Sequence, residues 1–268
     1  MLKGLYTGWS GMVNEMNRLD VMTNNLANVD TTGYKKEAAT SQSFSDRLAV
    51  KIKDQSDFGL PYRLGVANLG VKIGEVYTDW SQGSFQVTDG KYDVALDGKG
   101  FFAVAFKEKG EGGETSVRYT RDGAFSVNRE GYLMTKDGDF VLDQNGAENS
   151  DPDETNYIRL DPNLPFDIDQ RGYISQDGEA VARLGVVDFE DYDFLLKYGE
   201  NQLIPIDGAN IIESTANVEQ GCLEASNVNV VDEMVSMITI QRAYDANQRV
   251  VTTMDSMLDR AVNNVGKV

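Results

Sequence analysis

Histidine is absent from all 268 residues. Without imidazole there is no ordinary general base near neutral pH, no serine or cysteine triad of the usual kind, and no histidine-ligated zinc site. Cysteine occurs once, as Cys222, so no intramolecular disulfide forms. Its neighbours Gly221 and Leu223 offer nothing that would turn the thiol into a thiolate, and it reads as a small, semi-buried side chain. Basic residues are scarce: 25 against 43 acidic ones, a formal charge of −18 that repels phosphate backbones and anionic membrane surfaces. Nucleic acid is therefore not an expected partner. No run of about 18 apolar residues exists, and Thr7, Gly8, Ser10 and Gly11 interrupt the first segment. The expectation is a chain that is not membrane-inserted and carries no cleaved secretory signal.

What is present is enough apolar material, 41% of residues, to bury a core. From Leu2 to Asn28 the apolar positions advance in steps of four and three, through Leu5, Trp9, Met12, Met16 and Leu19, then Thr23 and Leu26, the spacing of a heptad seam. A second seam leaves Val230 through Met234, Met237, Gln241, Tyr244, Gln248, Val251, Asp255, Leu258, Val262 and Val265. Asn229 reads as its N-cap, with Asp232 and Glu233 in the first turn, where negative charge suits the positive helix end. One such helix alone reads equally as an amphipathic helix on its own domain's core. Two at opposite ends, about 200 residues apart, point to an α+β fold in which long N- and C-terminal helices pair as a coiled-coil stalk carrying a β-rich central head. The corresponding divisions are 1–34, a connector over 35–80, the β-rich domain over 81–220, and 221–268.

The middle reads as β-structure, with Phe101–Phe106, Ala124–Val127 and Leu184–Val187 as strand candidates. Asp97-Gly98, Asp122-Gly123, Glu130-Gly131, Asp137-Gly138, Asn145-Gly146, Arg171-Gly172 and Asp177-Gly178 place glycine where tight turns need positive φ. Arg121 and Asp122, at one of these turns, read as an exposed ion pair of little consequence. In the connector, Ser41, Gln42, Ser43 and Ser45 mark an exposed arm, and Leu48, Val50 and Ile52 alternate like a short strand. Between Asp137 and Asp169 lie ten acids and one base, Arg159. Their spacing matches neither a calcium-binding loop nor an identifiable catalytic carboxylate pair, so they read as a solvated acidic surface. No metal, cofactor or catalytic residue is expected.

At Asn24-Asn25-Leu26-Ala27-Asn28-Val29-Asp30-Thr31-Thr32-Gly33-Tyr34-Lys35 the sequence resembles the signature of flagellar rod, hook and hook-junction proteins. The asparagines and threonines compete locally for backbone hydrogen bonds, and Gly33 reads as the reversal ending the first helix. The resemblance continues at Asp93–Phe102 and Tyr119–Phe125, and closes at Gly221–Val228 and Met237–Tyr244. The connector from Ala38 to Asp79 and the stretch from Asn145 to Asp167 carry no motif that is part of this resemblance. Asp93-Val94-Ala95-Leu96 is similar to the proximal rod type, and Gln241-Arg242-Ala243-Tyr244 with Asp255-Ser256-Met257-Leu258 to the distal type.

The resemblance implies a non-enzymatic rod subunit of the bacterial flagellar basal body. It would polymerise helically with itself around a central channel, beside other rod proteins, the hook protein and the export apparatus, and leave the cell by the flagellar type III route. The assembly interface is expected at Leu5, Trp9, Met12, Met16, Leu19, Leu26, Met234, Met237, Tyr244, Val251 and Leu258, with Trp9 and Tyr244 foremost. The signature turn is Asn25, Asn28, Thr31, Gly33 and Tyr34. One seam buries too little to offset the entropy of ordering its helix, and Gly4, Gly8 and Gly11 weaken the first helix further, so both ends are expected to order on assembly. The alternatives are a hook or hook-junction component and, from another class, a secreted β-rich glycan hydrolase using two carboxylates.

Overall fold

A computed structural model of the chain describes residues 2–45, 47–50, 63–107, 115–148, 154–162, 164–199 and 201–265. They fall into two compact units. One comprises Met1–Ala27, Lys36–Trp80 and Val228–Val268, and the other Asn28–Lys35 and Ser81–Asn227.

The first unit is built on helix α1 (Leu2–Ala27) and a β-ribbon in which Glu37–Ser43 pairs antiparallel with Val71–Thr78. A second ribbon joins Arg47–Val50 to Arg63–Ala67. The strand expected around Leu48 and Val50 is therefore present, while Ile52 lies outside the described residues. The helix is fixed to the ribbon by polar groups. Asn25, fully buried, donates from Nδ2 to Glu37 O at 2.8 Å and accepts from Glu37 N at 2.9 Å, as a strand neighbour would. Asn14 Nδ2 donates to Ser41 Oγ at 2.9 Å.

The second unit holds the β-rich body, whose only α-helix among the described residues is the single turn α2 (Gln144–Glu148). Its main antiparallel sheet runs Leu195–Gly199, Gln202–Pro205, Thr115–Thr120, Phe101–Lys107, Phe140–Val141, Leu133–Met134, Ser126–Val127, and Val186–Phe189 also pairs with Phe101–Lys107. Phe101 to Ala105 are all buried, which is why the strand is continuously apolar instead of alternating. Phe102, Val104, Leu133, Val141, Ile158 and Leu184 form the centre of the core. Of the seven glycines expected at turns, Gly98, Gly131, Gly138, Gly172 and Gly178 have positive φ. Asp177 and Gly178, at φ 52° and 85°, form the two-residue turn joining Tyr173–Gln176 to Glu179–Arg183. Gly123 instead accommodates a close approach, since a Cβ there would lie 1.7 Å from Val94 O, and Gly146 sits inside α2.

The expected coiled-coil stalk is not formed. The C-terminal helix α3 (Val230–Arg260) is long, 31 residues capped by Asn229 Oδ1 on Val231 N, and runs on into a π-turn, Ala261–Val265. The N-terminal helix is shorter, at 26 residues, and packs on the ribbon as well as on its helical neighbour. Where α1 meets α3, it presents its glycines instead of the heptad seam. A Cβ on Gly4 would lie 2.9 Å from Met254 Cε, one on Gly8 3.0 Å from Val251 Cγ2, and one on Gly11 2.8 Å from Asn247 Nδ2. The helices are antiparallel and close, but glycines supply no knobs for a partner's holes. Seam residues Trp9, Met16 and Met234 face solvent. Gly33 does not end α1 either, because the helix stops at Ala27, six residues earlier.

Candidate functional site

The signature segment 28–35 is part of the β-rich unit. Asn28 starts a tight turn: its backbone carbonyl accepts from Thr31 N and its Oδ1 from Thr31 Oγ1. Thr32 Oγ1 then donates to Asp122 Oδ1 at 2.6 Å, and Asn201 Nδ2 donates to Thr32 O at 2.8 Å. Gly33, at φ 68°, passes so close to the 121–122 peptide that a Cβ would lie 2.4 Å from Arg121 C, and its N–H donates to Glu224 O at 2.8 Å. Tyr34 is buried with Lys197 Nζ 4.7 Å over its ring, and its carbonyl accepts from Asn227 N.

Lys35 completes the segment. Its side chain is 4% exposed and reaches Glu224, 1% exposed, with Nζ to Oε1 at 2.6 Å. The same ammonium donates to Ser81 O at 2.8 Å, and Glu224 Oε1 also accepts from Gly83 N at 2.9 Å. The other carboxylate oxygen accepts from Arg121 Nη1 at 3.0 Å, while Arg121 Nη2 donates to Gly98 O at 2.7 Å. Asn227 Nδ2 donates to both O and Oγ of Ser81. Two cations and one carboxylate are thus buried together, far apart in sequence, with their donors and acceptors directed at one another. Such a cluster is weak evidence of net stability. Removing one partner, however, strands the remaining charge in a poor solvent, at a cost of about 3–5 kcal/mol.

Arg121 and Asp122 are therefore not the exposed pair the sequence suggests. Arg121 is buried on Glu224, and Asp122 accepts from Thr32 and from Ala124 N. A second buried polar group lies in the same unit. Arg118 is held between Phe106 and Tyr198, its Cζ 3.2 Å and 3.9 Å from the two ring centroids, and donates to Gln202 Oε1, whose amide donates to Asp139. Tyr119 donates to Ala147 O, and burial pushes its phenol up to about 12. Burial, with a hydrogen bond to Asp188, also pushes the Tyr192 phenol upward, against a smaller opposing pull from Arg121.

The helical candidates do not gather at one place. Leu5, Met12, Leu19, Leu26, Met237, Tyr244, Val251 and Leu258 are half-buried. Trp9 at 57% and Tyr6 at 64% exposure are largely open on α1, as are Val231 at 67% and Val235 at 59% on α3, near Met234 and Ile238. Sequence reasoning missed Lys35, Glu224, Arg118, Gln202 and Asp139. Only Glu224 carried a signal, as a lone charge after Leu223 in an otherwise uncharged stretch. No group of three or more acidic or cysteine side chains among the described residues is placed to hold a metal ion. No helix among them is long and apolar enough to cross a membrane.

Three family models match the chain: "Flagella basal body rod protein" over residues 5–35, "Flagellar hook protein FlgE/F/G D1 domain" over 95–181, and "Flagellar basal body rod FlgEFG protein C-terminal" over 219–264. Lys35, Arg121 and Glu224 come one from each. The chain is 33% identical to the flagellar basal-body rod protein FlgF of Caulobacter vibrioides, over the whole of both chains. It is 34% identical to the flagellar basal-body rod protein FlgG of Bacillus subtilis, over 98% of this chain and 99% of that one. The flagellar hook-basal body complex protein FlhO of Bacillus subtilis is 28% identical over the whole of both.

Proposed function

The chain belongs to the flagellar basal-body rod protein family, a structural protein of the bacterial flagellar basal body, and from that premise we propose that it polymerises through the exposed faces of its two terminal helices. The observation that carries this reading is the exposure of Trp9, Tyr6 and Met16 on α1 and of Val231, Met234, Val235 and Ile238 on α3. Large apolar side chains grouped in this way mark protein contact surfaces. The two patches differ in composition, one aromatic and one aliphatic, which suits a head-to-tail contact that repeats into a filament instead of closing as a dimer. Leu5, Met12, Leu19, Leu26, Met237, Tyr244 and Leu258, all half-buried, complete the proposed interface, while Val251 packs against Gly8 within the chain. Gly4, Gly8 and Gly11 lower the intrinsic helicity of α1, so in this reading the terminal helices gain order on assembly.

In this reading the partners are further copies of the chain, other rod proteins and the hook protein, reached after passage through the flagellar export apparatus. The subunit transmits torque from motor to hook and turns over no substrate.

Electron microscopy of envelopes from a strain lacking the chain tests this, complemented by wild type or by Trp9→Ala. Structures should stop before the hook in the deletion strain. Trp9→Ala should restore them poorly although the purified variant melts like wild type, since truncating an exposed side chain opens no cavity. Complete rods and hooks in the deletion strain would overturn the proposal.

A further inference from the structure

The chain passes between its two units four times, at 27/28, 35/36, 80/81 and 227/228. Residues beside the last three passages, Lys35, Ser81 and Asn227, are hydrogen-bonded to one another inside the β-rich unit. Glu224 fastens this group, taking Lys35 and Gly83 on one oxygen and Arg121 on the other. The fastening is electrostatic and lies outside the apolar cluster around Phe102, Val104, Val141 and Leu184.

We propose that Lys35, Glu224 and Arg121 form a clasp: a conformational device that holds segments 28–35, 81–84 and 221–227 as one cooperative unit, able to open as a unit while the β core stays folded. The physical basis is the difference between the two kinds of contact. A buried carboxylate between two cations is stable only while all three are seated, so it closes or opens in one step. The core strands are held by many independent apolar contacts and ladder bonds, which do not depend on that step. Gly33 sharpens the seating, because only a residue without Cβ can lie against the Arg121 carbonyl at φ 68°. Opening the clasp would release segments that border all four of these passages. This inference rests on the geometry of the β-rich unit alone and does not depend on the polymerisation surfaces.

Hydrogen exchange followed by mass spectrometry on the full chain tests it, comparing wild type with Glu224→Gln and Lys35→Met. The glutamine keeps the shape and strands both cations. Exchange should rise together in 28–35, 81–84 and 221–227, on the order of a hundredfold for Glu224→Gln and less for Lys35→Met, which leaves the Arg121 pair intact. Peptides covering Phe101–Ala105 and Val141–Leu142 should keep wild-type protection. A uniform rise across the β-rich unit, a rise confined to the mutated strand, or failure of both variants to fold would overturn the proposal.

Discussion

Tyr119 and two glycines show how single positions constrain the fold. The Tyr119 phenol is held neutral, its pKa pushed up to about 12 by burial. The folded state therefore keeps the proton more tightly than the unfolded chain, whose tyrosines ionise near pH 10. The resulting stability is complete below pH 10 and is lost as pH rises through about 12, an effect of about 3 kcal/mol at most. Tyr119→Phe should lose about 1 kcal/mol at pH 8, for the hydrogen bond to Ala147 O, and then fall less steeply than wild type between pH 10 and 12. Urea midpoints measured across that window check both parts. The glycines separate by what a Cβ would strike. At Gly11 it meets the flexible end of Asn247, and helix propensity favours alanine, so Gly11→Ala should stay within about 1 kcal/mol of neutral. At Gly33 it meets backbone at positive φ, so Gly33→Ala should cost at least about 2 kcal/mol, and thermal unfolding of the two variants should separate clearly.

At the scale of elements, the sequence discloses what depends on neighbours along the chain. The spans of α1 and α3, the Asn229 cap, the apolar central strand at Phe101 and the Asp177-Gly178 turn all follow from local chemistry, and all are present. What the sequence hides is which face of a helix is covered. Gly4, Gly8 and Gly11 repeat in steps of four and three, as do Leu5, Trp9 and Met12, so two stripes on α1 share one period. A period shows that a stripe exists but not what packs on it. The glycine stripe lies against α3 because it permits backbone approach, which leaves Trp9 and Met16 outside. The clasp was hidden for a related reason: Lys35 and Glu224 are 189 residues apart, and no periodicity links them. Glu224 is conspicuous only as a charge inside an uncharged string, and Lys35, beside Lys36 and Glu37, is not set apart at all.

For the molecule as a whole, the formal charge of −18 sets the conditions under which apolar patches can meet. Copies carrying that charge repel at low ionic strength, and salt shortens the range of repulsion to about 8 Å near 0.15 M. The contacts proposed through Trp9, Tyr6, Val231 and Val235, being uncharged, would gain nothing from long-range attraction. Self-association of the purified chain should therefore strengthen on moving from low salt to physiological salt, which light scattering will detect. Weakening under the same change would mean that ion pairs, and not these patches, hold the copies together.

The bond between Lys35 and Glu224 also has a consequence in time. During synthesis, the segment carrying Lys35 leaves the ribosome early and must wait for Glu224, by which point about five-sixths of the chain has been made. Until then its ammonium lacks the carboxylate that it pairs with, and Gly33 has no Glu224 carbonyl to bond. This part of the β-rich unit is therefore completed late, by a residue near the far end of the sequence.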